Sequence, residues 1–254
     1  MQRPSVVVTR PESQAGAWVQ ALRAAGWPVV ALPLIATCPT VAPDAPAPWT
    51  GGERWDAVMV VSPAAVQAAQ HARWPVPAPP TRLWAPGAGT AAALRAWGAD
   101  PARVDAPSAD AGPATMDSES LWSLVRPQMG PGRRLLVLRG VSADGREGRD
   151  WLLQQARASG ADVVALPVYR RALPAWGEAQ RRHATDLGRA VWLFSASEAV
   201  AHLQQLLPHA VWRDATAVVT HPRIAQAAAA AGFGRVVVAA PTVAAVLQAL
   251  ESVA

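Results

Sequence analysis

One tyrosine stands in the whole chain, at position 169, inside the run VVALPVYRR (residues 163–171). A phenol is a neutral hydrogen-bond donor and acceptor that can assist a departing oxygen. The same ring also serves as an interface aromatic, and the residue alone leaves both uses open. Two arginines occupy matching places: Arg10 in SVVVTRPES and Arg139 in RLLVLRGVS each follow a short apolar run. A guanidinium fork there can take a carboxylate bidentately or settle into a surface ion pair, the commoner fate of a single arginine. Ser62, Ser195 and Ser197 follow apolar runs as well. With no G-x-S-x-G elbow around them and no His–Asp pairing suggested, they are expected as carboxylate contacts and not as nucleophiles. Thr9 and Ser195 open T-R-P-E and S-A-S-E, which match the capping box. Capping is their plain use; an anion site built on exposed amides is the functional one. Thr90, in GAGTA, falls where a helix starts, so its hydroxyl can cap or hold a carboxylate. Thr220, His221 and Arg223 occupy a corresponding turn later in the chain, with their role open.

Other chemistries are weaker. Gly87 to Ala92 reads G-x-G-x-x-A, with Asp105 downstream, which is a dinucleotide fingerprint in outline. It sits in mid-half instead of in a first strand–helix unit, and a lone glycine motif is a weak signal. Cys38 is the single cysteine, so neither an intrachain disulfide nor a thiolate cluster is available. The five histidines (His71, His183, His202, His209, His221) never pair four apart, and no metal is expected. All 23 basic residues are arginine, which removes Schiff-base and P-loop lysine chemistry. At net charge +5, with scattered arginines, nucleic acid is not favoured as a partner. An acidic small molecule remains possible as one. Apolar content of 51% with 16% charge indicates a globular chain with real cores. No apolar run reaches a membrane span and MQRPSVVVTRPE lacks a signal peptide's core, so a cytoplasmic protein is expected.

The elements that must position these residues are written twice. VVALP occurs at 29–33 and at 163–167. It is preceded in one copy by AGAWVQALRAAGWP and in the other by GRDWLLQQARASGAD, each an amphipathic helix closed by Gly26 or Gly160. Downstream, WDAVMVVSPAAVQAA aligns with GRAVWLFSASEAVAHL, setting Ser62 against Ser195, and TRLWAPGAGTAAALRAWGAD aligns with ATAVVTHPRIAQAAAAAGFG. Each half reads strand, helix, strand, strand, helix, strand, helix, strand. Continuous apolar strands alternating with helices give α/β architecture: two small doubly wound parallel-sheet lobes built on an internal repeat. The Pro- and Ala-rich stretches 39–53 and 72–81 read as linker and surface loop, and SADAGPATMDSES (108–120) as a loop ending in a helix cap at Asp117 or Ser118.

Taken in order, TRPE, ALPLI, D-x-V-x-V-x-S-x-x-A-V, G-x-x-T-A-x-A-L, DSESL, LLVLRG, V-Y-R and F-S-A-S-E-A-V resemble the uroporphyrinogen-III synthase family over essentially the whole chain. The resemblance implies lobes that differ from the repeat: residues 1–36 plus 173–254 form the first and 37–172 the second. Leu34–Pro39 and Val168–Pro174 would be paired linker strands, with a cleft between the lobes. It implies a monomeric cytoplasmic lyase, a cyclising hydro-lyase without cofactor or metal. The substrate would be hydroxymethylbilane, a linear tetrapyrrole polycarboxylate, closed to uroporphyrinogen III with inversion of the last ring and loss of water. Tyr169, opposite Ile35 in the repeat, would line the active site and hydrogen-bond the departing hydroxyl. Thr90 would lie at the cleft, Arg10 and Arg139 would reach acetate or propionate groups, and Ser62, Ser195 and Ser197 would contact carboxylates. The enzyme producing hydroxymethylbilane is a candidate partner; no membrane is involved. Two alternatives remain: a non-enzymatic two-lobed binder of an acidic small molecule, and a dinucleotide-binding oxidoreductase.

Overall fold

A computed structural model describes residues 3–107, 118–142 and 151–253. In chain order the strands and α-helices are β1 (Val6–Val8), α1 (Glu12–Ala24), β2 (Val29–Ala31), β3 (Ala36–Pro39), β4 (Ala57–Val60), α2 (Pro63–His71), β5 (Arg82–Trp84), α3 (Ala88–Ala96), β6 (Val104–Asp105), α4 (Ser118–Val125), β7 (Arg134–Val141), α5 (Trp151–Ala158), β8 (Asp162–Ala172), α6 (Glu178–Asp186), β9 (Val191–Phe194), α7 (Ser197–Leu206), β10 (Thr216–Val219), α8 (Pro222–Ala230), β11 (Arg235–Val238) and α9 (Val243–Glu251). They form two compact units, Met1–Ala36 with Leu173–Ala254, and Thr37–Ala172.

The first unit holds a five-stranded sheet ordered β11-β10-β9-β1-β2, and the second a six-stranded sheet ordered β3-β8-β7-β4-β5-β6. In the first, β1 pairs in parallel with both β2 and β9, through Val6↔Val29 and Val6↔Val191. In the second, β7 pairs in parallel with both β8 and β4, through Leu135↔Val163 and Leu135↔Ala57. The two sheets therefore have the same order, apart from β3, but each takes its β1/β2-type pair from one repeat and its other three strands from the other repeat. This is a reciprocal exchange of strands within one chain.

Strand periodicity makes the cores. In the first unit Val7, Trp192, Phe194, Ala217 and Val219 enter one cluster, while Val6, Val8, Val191, Leu193 and Val218 enter another. In the second, Val58, Val60, Leu136 and Leu138 alternate in the same way with Ala57, Met59, Leu135 and Val137. A strand whose two sets of side chains are both buried must be apolar throughout, and these are. After α1 and α5 the chain turns through Gly26 (φ 79) and Gly160 (φ 90), the left-handed conformation that a Cβ disfavours.

Several local expectations need correction. Thr9 does not cap α1: the residue preceding the helix is Pro11, with no side-chain cap. Thr9 is instead buried, and its hydroxyl donates to the Leu193 carbonyl at 2.7 Å, adding a rung between the ends of β1 and β9. Ser195 does not cap either; Ala196 precedes α7 and supplies no side-chain bond. Within 39–53 and 72–81, Ala47 and Trp74 pack into the core of the second unit, so those stretches are not surface throughout. Val168–Pro174, expected as a linker strand, is indeed strand as far as Ala172, the carboxyl part of β8. Asp117, one of the two residues offered as the cap of α4, lies outside the described residues. The helix itself begins at Ser118.

Candidate functional site

Pro167 sets the geometry around Tyr169. Proline has no N–H to give a sheet ladder, and the β7–β8 register slips at this point: Arg139 pairs with Pro167, but Gly140 pairs with Tyr169, leaving Val168 as the extra residue of a bulge. Thr40 takes up the displaced carbonyls, its N–H donating to Val168 at 2.9 Å and its hydroxyl to Pro167 at 2.8 Å. In a regular strand neighbouring side chains point to opposite faces. Here Val168 and Tyr169 are both buried in the same cluster, because the bulge re-aims the tyrosine.

The phenol so placed lies 3.0 Å from the Ser62 hydroxyl, and either oxygen can donate. Ser62 follows β4 and caps α2, accepting the Ala65 N–H at 3.3 Å. Tyr169 also lines a pocket of about 230 Å³ with Met59, Pro86, Arg139, Gly140, Ser142 and Arg171 among its other walls. Its lining includes the carboxyl ends of β4, β7 and β8, the end of a parallel α/β sheet where ligands bind. Arg139 is buried to 5% exposure and Arg171 is exposed, so one buried and one exposed arginine line the pocket together with the tyrosine. Arg171 escaped the sequence reading, although a residue two positions after Tyr169 on a strand shares its side.

Thr90 is the third residue of α3 and is buried, and its hydroxyl makes no hydrogen bond among the described residues. The helix is preceded by Gly87, which brings no capping side chain, and Pro86 just before it reaches the pocket wall.

The structure thus gathers Tyr169, Ser62 and Arg139, with Thr90 on the helix that starts beside them. Arg10, Ser195 and Ser197 belong to the other unit, where they follow the adjacent strands β1 and β9. Arg10 stacks on Trp18 at 4.3 Å. Burial lowers the Arg10 pKa from its ordinary value to about 10. Its Nε is buried without a hydrogen-bond partner. Ser195 and Ser197 are half-buried. Of the late turn, His221 caps α8 by accepting the Arg223 N–H at 3.1 Å on Nδ1.

The dinucleotide alternative fails on geometry. Asp105, the acidic residue meant for a ribose, is held in an ion pair by Arg82 and accepts the Gln128 amide at 3.1 Å. Among the described residues no group of three or more His, Cys, Asp or Glu side chains could hold a metal ion, and no helix is long and apolar enough to cross a membrane.

Parallel doubly wound sheets carrying arginine and hydroxyl groups after their strands, twice over in one chain, define an α/β protein of two repeated units. The family model described as uroporphyrinogen-III synthase HemD matches residues 16–248. The chain belongs to the uroporphyrinogen-III synthase family. Its fold is that of uroporphyrinogen-III synthetase from Helicobacter pylori 26695, at TM-score 0.60 and 17% identity over 100% of both chains. A mutant uroporphyrinogen III synthase from the extremely thermophilic bacterium Thermus thermophilus aligns over 98% of both chains, at 17% identity and TM-score 0.47.

Proposed function

We propose that the chain closes hydroxymethylbilane to uroporphyrinogen III as a cofactor-independent hydro-lyase, with Tyr169 as the residue that touches the departing oxygen. The observation that carries this is the phenol: the only one in the chain, buried, seated on Ser62 and flanked by Arg139 in a pocket at the strand ends. Ser62 accepts the Ala65 amide on one lone pair and keeps its own proton to donate; in the arrangement where it donates to the phenol oxygen, the phenol proton is left for the substrate. The C–O bond of the hydroxymethyl group breaks with its electrons moving to oxygen. That oxygen leaves as water by taking one proton across the phenol's hydrogen bond, while the pyrrole nitrogen supplies the electrons of the new azafulvene and gives up its N–H proton, which restores the phenol. A neutral hydrogen bond suits this step, since charge builds on the leaving oxygen only as the bond stretches.

A pocket of about 230 Å³ falls below the roughly 300–1,000 Å³ of sites for drug-sized ligands. It takes one substituted pyrrole, not four. The other rings extend beyond it, and their acetate and propionate groups are the partners for Arg10, Arg139, Ser195, Ser197 and the amino end of α3 near Thr90. Holding the linear chain in a folded shape is the larger part of the task, because the free substrate closes unaided to the uninverted isomer. A cytoplasmic setting beside the enzyme that supplies hydroxymethylbilane belongs to the same reading.

The test is a coupled assay in which hydroxymethylbilane is generated in place and the isomer formed is identified. Uroporphyrinogen III as the main product is expected. Isomer I alone, at the rate of the protein-free control, would sink the assignment.

A further inference from the structure

Gly140 faces the ring of Tyr169 with no side chain between them. A Cβ built there would lie 2.5 Å from Cε2 and 2.7 Å from the phenol oxygen, and closer still to Cζ. Optimal carbon–carbon separation is about 3.5–4.0 Å, so any side chain at 140 must push the phenol end aside by about 1 Å. The ring is 5% exposed and packed in the cluster with Val168, and its free space lies at the phenol end, which borders the pocket. The displacement falls on the hydroxyl, whose bond to Ser62 is already 3.0 Å long. Gly140 is also the residue at which the β7–β8 register resumes after the bulge, directly opposite Tyr169. The same strand position thus fixes both the backbone and the ring.

We propose that Gly140 is a positioning residue for the reaction: its missing Cβ leaves the space in which the Tyr169 phenol lies against β7, within reach of Ser62 and the pocket. The inference rests on the role given above to Tyr169, and it deepens that role by naming what orients the phenol. No conformational privilege is invoked, since Gly140 does not have a positive φ; what glycine supplies here is space.

Because the chain has one tyrosine, the phenol can be watched directly. Fluorotyrosine incorporation gives a single ¹⁹F resonance, and G140A should shift it and increase its broadening by a soluble paramagnetic additive. An unmoved resonance in a folded G140A protein overturns the proposal, whatever the activity of any variant. In the assay, G140A should lower kcat by roughly 10- to 100-fold, the scale of a 1 Å misplacement, with KM changed less. G140A should add little further loss in a Y169F background, because the hydroxyl it displaces is already gone. An equal loss in both backgrounds would assign the effect to the scaffold and overturn the proposal. Full activity of Y169F would refute the role of Tyr169 while leaving the ¹⁹F result to decide the positioning. Should G140A fail to fold, G140A/Y169L removes the colliding ring atoms and should recover folding by circular dichroism. No recovery would show that the collision is not with the ring, and the proposal would fall.

Discussion

Replacing Arg10 with Met should make the protein more stable and a worse enzyme. Burial pushes the guanidinium pKa well below its ordinary value, down to about 10, and at about 1.4 kcal/mol per unit this sets an upper bound of about 3–4 kcal/mol of unfavourable desolvation. Stacking on Trp18 returns about 0.5–2 kcal/mol. Methionine keeps an apolar stem over the same indole and removes the charge and the orphaned Nε. The net gain should be about 1–2 kcal/mol, and at about 2–4 °C per kcal/mol for a chain of this size Tm should rise by a few degrees. If the charge is kept for a substrate carboxylate, KM should rise by about tenfold or more, as for loss of a charge-assisted hydrogen bond. The salt dependence of KM should also weaken. Calorimetry and initial rates at two ionic strengths read both sides. A variant that is less stable, with KM unchanged at low salt, would make Arg10 a structural residue and refute the reasoning.

Tyr169→Phe keeps the ring and deletes the hydroxyl; kcat should fall about 10²-fold if the phenol assists departure of water. A few-fold loss would mean that it only positions substrate, and full activity with an unchanged isomer ratio would remove it from the site. Thr9→Val should cost about 1 kcal/mol in denaturant titrations by deleting the buried rung to Leu193. An unchanged midpoint would mean that water or a neighbour replaces that bond. Burial raises the Asp56 pKa, but bonds from the Arg134 N–H and from Arg133 outweigh it and hold the carboxylate below its ordinary value. Its contribution is therefore present above the ordinary aspartate pKa and lost as pH falls through the lower folded one. The stability gap between wild type and Asp56→Asn should close on acidification, and a pH-independent gap would contradict this. Cutting between residues 133 and 134, the repeat boundary, should give two insoluble halves, since each holds strands of both sheets; two soluble, separately melting halves would refute the exchange.

The alternation of apolar runs and helices, and the repetition of VVALP, made the succession of strands and helices legible because a buried parallel strand must be apolar on both sides and each strand–helix unit must end in a turn. The exchange of strands between the repeats carries no local signal. The hydroxyls were less legible. Thr9 and Ser195 match a capping pattern, but whether such a side chain turns to a helix or to a neighbouring strand depends on what lies beside it. For Thr9 that is the Leu193 carbonyl, 184 residues away. Ser62 was placed correctly after a strand, yet its bond to Tyr169 spans two strands and could not be read from either. The bulge had a signal that went unused: a proline one residue before an apolar–aromatic pair, in what otherwise reads as a central strand.

The exchanged strands also impose an order on biosynthesis. On the ribosome β1, α1 and β2 emerge first, but β1 cannot meet its partner β9 until Val191 has been made. At about 5–20 residues per second that is a delay of roughly 10–40 s, during which an apolar edge stands open. The unit Thr37–Ala172 is contiguous and can close while its elder neighbour waits. The nascent chain therefore finishes its middle before its beginning, and the first 36 residues are the segment a chaperone has most reason to hold.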